Sequence, residues 1–139
     1  MDLVIDELFS KAEAGDIFAM ESLSVLAMQE DLVVEAFYWA QMAELLGHYG
    51  MRNVIPELIG RWRRMGCPDQ SEFAEDQKAS ERQQFGLMAL LYRSGVDGAT
   101  ARHWFMLRSN GGDPAAKVFL MSFSPPDTGR KSQRTGFGR

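Results

Sequence analysis

Residues 15–47 read GDIFAMESLSVLAMQEDLVVEAFYWAQMAELLG, and two helical stripes run through them. Ile17, Met20, Leu23 and Ala27 recur at spacings that place them on one side of a helix, and Ala36, Trp39, Ala40 and Ala43 do the same further on. Gly15 and Asp16 stand before the first stripe, and Gly47 closes the second, where a left-handed residue ends a helix cheaply. Two helices approach closely only where small side chains face each other at the crossing. Ala36, Ala40 and Ala43 are suited to that role, and Trp39 to filling the gap beyond.

The same rhythm extends outward in both directions. Leu3, Val4 and Ile5, followed by Leu8 and Ala12, give a short opening helix. Ile55, Leu58, Ile59, Trp62 and Met65 form the clearest stripe, with Pro56 expected in its first turn behind Asn53. Phe85, Met88, Ala89 and Tyr92 mark another helix, and Ala101, Trp104 and Phe105 begin the next, which Arg108 ends. Gly66, Gly95 and Gly111 follow apolar-periodic stretches as further C-caps. Asp113-Pro114 pairs an N-cap with proline in the first turn, and Ser80 and Gln83 have capping-box spacing. Segment 68–80, PDQSEFAEDQKAS, reads as a short exposed helix or an ordered loop. A last helix over 113–123 is expected to cap the fold with Val118, Phe119 and Leu120 inward. No segment alternates apolar and polar residues long enough for a strand, so the chain reads as all-α.

The 139 residues, 45% apolar, suit one compact helical domain over 1–123. Residues 124–139 (SPPDTGRKSQRTGFGR) have little to bury and read as a flexible basic tail. No apolar run approaches the roughly 20 residues of a membrane helix. Asp2, Asp6 and Glu7 break the N-terminal apolar residues, which argues against a secretory signal and places the chain in the cytosol. The net charge of −4 divides unevenly, −9 over residues 1–60 and +5 over 61–139. Such an uneven field orients a charged partner; it is equally the drift of a solvated helical surface.

Two windows of the chain align with each other. In 15–47 and 77–112, Trp39 and Trp104 each stand eight residues before a glycine, Gly47 and Gly112, and each has an aromatic neighbour, Tyr38 or Phe105. Gly112-Asp113 repeats the Gly15-Asp16 opening. On these residues the chain resembles the Sel-one-like repeat family of the tetratricopeptide-like superfamily. FGLMALLYRSGV (85–96) looks like that repeat's first helix and loop, while EAFYWAQMAELLG (35–47) and ATARHWFMLRSNGG (99–112) look like its second helix. The stretch 47–76 departs from the pattern: it lacks the tryptophan helix and carries Pro56 and RWRR. The resemblance implies a right-handed stack of antiparallel helix pairs, about three repeats plus a capping helix, working by protein binding.

Chemistry-bearing motifs are scarce. His48 and His103 are the only histidines and Cys67 the only cysteine, so no disulfide forms within the chain and no zinc motif is present. There is no phosphate-binding glycine loop and no nucleophile elbow. No catalytic residue, metal or cofactor is assigned. Glu30-Asp31 and Glu75-Asp76 read as solvated turn charges.

The cluster Arg61-Trp62-Arg63-Arg64 supports two readings. Trp62 continues a buried stripe, and its flanking cations suit a helix C-terminus. The arginines also suit bidentate capture of carboxylates. By resemblance, Arg61, Arg64, Arg82 and Arg93 line a concave groove with Tyr92 as aromatic anchor.

The expectation is therefore a cytosolic adaptor, regulator or inhibitor that binds another protein. The rivals are nucleic-acid or acidic-surface binding through RWRR and the tail, an enzyme with an unfamiliar site near Cys67, and a self-associating piece of a longer array. The acidic balance argues against nucleic acid as the primary partner.

Overall fold

The computed structural model describes residues 2–123. Seven α-helices follow one another: α1 (Asp2–Glu13), α2 (Ile17–Gln29), α3 (Val33–Leu45), α4 (Val54–Arg64), α5 (Gln77–Ser94), α6 (Gly98–Asn110) and α7 (Pro114–Ser122). Short 3-10 turns occupy Tyr49–Asn53 and Ser71–Phe73, and no strand occurs among the described residues. None of the described helices is long and apolar enough to cross a membrane. The tail proposed for 124–139 lies outside the described residues. The chain divides into two compact units, Met1–Leu90 and Leu91–Arg139, with the division inside α5.

In the first unit α1 packs on α2, α2 on α3 and α3 on α4. The turns between them share one construction. After α1, the Asp16 amide donates to the Lys11 carbonyl at 2.9 Å and the Gly15 amide to Ala12 at 3.0 Å. The pattern recurs after α2 (Leu32 to Ala27, 2.9 Å), α3 (His48 to Ala43, 2.9 Å) and α4 (Cys67 to Trp62, 2.9 Å). These are Schellman caps, which close the orphan carbonyls of a helix end in three residues and turn the chain back. Asp31 takes the left-handed place after α2 (φ 60°), a position the sequence did not mark with glycine.

Alanine does what its spacing predicted. Ala36, Ala40 and Ala43 are fully buried on α3, and the Ser24 hydroxyl of α2 donates to the Ala36 carbonyl at 2.8 Å. Gly86 of α5 meets α3 so closely that a Cβ there would lie 2.7 Å from the Val34 carbonyl oxygen. Trp62 is wholly buried, and its indole N–H donates to the Pro68 carbonyl at 2.8 Å.

Several expectations change. α5 begins at Gln77, capped by Asp76, whose Oδ1 accepts from the Ala79 amide at 2.8 Å; Ser80 and Gln83 form no capping box. Gln83 instead donates to the Gln70 carbonyl, fixing the segment that sequence left open. Pro56 does sit in the first turn of α4, but Asn53 gives no side-chain cap because the 3-10 turn runs directly into the helix.

In the second unit α6 packs on α7, and the turn between them is again a Schellman cap, Asp113 to Arg108 at 3.0 Å. The left-handed glycine is Gly112 (φ 99°), not Gly111. Asp113 then caps α7 through the Ala115 amide at 3.0 Å. Phe119 is fully buried, while Val118 is 43% exposed, against expectation. Three consecutive helical residues span about 200° of the surface, so they cannot all face inward.

Candidate functional site

Four elements of the first unit surround a groove of about 600 Å³. The lining comprises Ile5, Phe9 and Glu13 of α1; Leu23 and Leu26 of α2 with Glu30 at its C-cap; Glu35 and Trp39 of α3; and Glu75, Lys78 and Arg82 from the approach to α5 and its first turns. Phe9, Leu23, Leu26, Leu32 and Trp39 make the apolar lining. Asp6, Glu13, Glu30, Glu35, Glu75 and Asp76 face Lys78 and Arg82, so the charged lining carries four more negative than positive groups at neutral pH. The size is that of a ligand-bearing cleft.

One carboxylate organises the groove. Glu35 Oε2 accepts from the Trp39 indole N–H at 2.9 Å and from Arg82 Nε at 2.8 Å. The Glu35 and Arg82 side chains are each only 14% exposed. The Arg82 guanidinium carbon lies 4.9 Å from the Phe9 ring centre and 5.6 Å from that of Trp39. A charge-assisted bond in such shelter is strong, and the aromatic faces add cation–π attraction. Trp39 is thereby held in place, its edge against Tyr38 at 4.9 Å. Above this base, Lys78 Nζ reaches Glu13 at 3.4 Å.

In the first unit, Arg61, Arg64 and Arg82 of the expected arginine-lined site have separate settings. Arg82 lines the groove, already engaged by Glu35. Arg61 does not; it bonds Asp31 and the Met28 carbonyl (3.4 Å), tying α4 to the turn after α2. Arg64 is exposed on the last turn of α4. In the second unit, Arg93 lies over the Phe123 ring at 4.0 Å. Tyr92 is 3% exposed and so is a core residue rather than an open anchor; its hydroxyl donates to the Phe123 carbonyl at 3.3 Å. Burial raises the Tyr92 pKa above its ordinary value, with the nearby Arg102 charge opposing, so the hydroxyl stays protonated at neutral pH. Tyr92, Arg102, Met106 and Phe123 belong to a second cleft of about 560 Å³.

Other reactive side chains have ordinary settings. His48 Nε2 lies 3.1 Å from Glu21, and His103 and Cys67 are exposed. Cys67 ends the turn after α4 with φ 56°. Among the described residues no group of His, Cys, Asp and Glu is placed to hold a metal ion.

Glu30-Asp31 and Glu75-Asp76 are exposed outside the helices, as expected of solvated turn charges, but sequence reading missed that Glu30, Glu75 and Asp76 border one groove. The available signal was their phase. Glu30 follows Leu23 and Leu26 on one face of α2, as Glu13 follows Phe9 on α1. No protein-family model, curated protein or solved structure matches the chain.

Proposed function

We propose that this chain is a tetratricopeptide-like protein-interaction module, related in pattern to Sel-one-like repeats, whose first unit receives a short segment of a partner protein in the α1–α2–α3–α5 groove. The observation that carries this reading is the groove itself: an apolar lining around Trp39, bordered by charges, with Glu35 and Arg82 fixing the indole. Apolar clefts with a few fixed polar groups are where ligands bind. The recurrent Gly-Asp junctions before α2 and α7, and the alanine seam of α3, support repeated helix pairs. An acidic lining repels phosphate backbones, which disfavours the nucleic-acid alternative at this site.

Panning a displayed random dodecamer library against the full chain tests the reading. Peptides enriched by the native protein are expected to be lost on Leu26→Arg, which places a long side chain across the groove, and on Ile5→Asn, with circular dichroism unchanged. Failure to enrich any peptide, or enrichment indifferent to both substitutions, contradicts it.

A further inference from the structure

We infer that the segment this groove receives is cationic, with Lys or Arg side chains beside a bulky apolar anchor. The inference rests on the groove being a peptide site and adds the chemistry of its occupant.

The accessible apolar lining, formed by Ile5, Phe9, Leu26 and Leu32 over the buried Leu23 and Trp39, provides a place for the anchor. Charge selects what lies beside it. Lys78 and Arg82, the two cations of the lining, are engaged by Glu13 and Glu35. Among the described residues no cation is paired with Asp6, Glu30 or Glu75. A partner that covered these carboxylates without bringing positive charge would desolvate several like charges on one groove, which opposes binding. A cationic segment relieves that repulsion and is steered toward the groove from a distance. Arg82 displays the chemistry within the protein itself: a guanidinium held by one carboxylate at 2.8 Å, with two aromatic rings within 5.6 Å. The partly exposed Phe9 ring and the exposed carboxylates of Asp6, Glu30 and Glu75 offer an incoming Lys or Arg the same two kinds of contact.

The test uses the full chain and three fluorescein-labelled dodecamers that share one Leu and one Phe anchor. Their flanking positions are Lys/Arg, Ser/Gln or Glu. Anisotropy is expected to show binding of the basic peptide, about tenfold or more tighter than the neutral one and weakening as salt rises, with no binding of the acidic one. Glu30→Lys combined with Glu75→Lys is expected to remove that preference. Glu30→Gln combined with Glu75→Gln, which keeps the side-chain shapes, should weaken it in the same direction. Equal affinity for the three peptides, or a preference unmoved by both double variants, overturns the cationic inference and leaves a peptide site standing. Absence of binding by all three, together with an empty library selection, overturns the peptide reading itself. Two further outcomes overturn an external partner. Self-association of the native chain abolished by the Glu30/Glu75 variants assigns the groove to a second copy. A gain of about tenfold in affinity for the basic peptide on deleting 124–139 assigns it to the chain's own C-terminal segment.

Discussion

Buried rings occur in both units, but the long-range polar ties differ between them. In residues 2–90, polar groups remote in sequence tie the helices. Gln70, in left-handed conformation, accepts from the Val34 amide at 2.9 Å and donates to the Asp31 carbonyl at 2.8 Å, capping α3 from a distant loop. Glu35 and Arg82 join α3 to α5 at 2.8 Å. In residues 91–123, rings do the work: Phe105 and Phe119 stack at 4.2 Å, and Tyr92 and Phe123 approach Phe119 at 5.4 and 5.2 Å. Ring burial is large but weakly directional. Hydrogen bonds fix which groups lie opposite each other. In the groove of the first unit, constraints of the second kind hold Glu35, Arg82 and the Trp39 indole in register.

The contrast breaks first at the ring stack. Phe119→Ala removes a fully buried ring and should cost about 3–5 kcal/mol in urea denaturation, with the near-ultraviolet dichroism of the aromatic cluster lost. A loss under 1 kcal/mol would mean the rings are not what holds α7.

Gln70→Ala strips a donor and an acceptor from buried partners at the start of α3 and should cost about 2–3 kcal/mol. Amide exchange at Val34 should accelerate correspondingly. An effect confined to segment 68–76, with α3 protection intact, would deny Gln70 its capping role.

The smallest effect is expected at Tyr92. Tyr92→Phe removes one bond to the Phe123 carbonyl and should cost about 0.5–1.5 kcal/mol at neutral pH. Because burial raises its pKa, the folded state keeps the phenol proton where the unfolded chain begins to release it. The native protein's stability should therefore hold below the ordinary tyrosine pKa and fall as pH rises beyond it, while the Phe variant lacks that component. The difference between native and variant should shrink above about pH 10. A constant difference would refute the assignment.

Helix content was legible because period and punctuation agree. Gly15, Gly47 and Gly66 end helices where expected, and the alanine face of α3 is buried as its spacing requires. The segment 68–76 was not legible. Its conformation is set by Gln70 and Gln83 reaching groups outside it, and no local pattern encodes such partners. The groove was half legible. Leu23 and Trp39 stand on the stripes that periodicity marks, whereas Phe9, Leu26 and Glu35 were not singled out, since Glu35 gains its role only where α5 brings Arg82 against it. The arginines of RWRR drew attention by their density in sequence, yet Arg61 serves the turn after α2.

On this proposal a cationic segment binds in the acidic groove above Trp39. Titrating the basic dodecamer into nitrogen-15-labelled full chain tests it most directly, because the Trp39 indole N–H, bonded to Glu35, reports from the base of the groove. Saturable shifts of that indole signal and of the Phe9, Leu26, Glu30 and Glu75 amides are expected. Shifts centred on Arg61–Arg64 or on Tyr92 and Arg93, with the Trp39 indole unmoved, would contradict it.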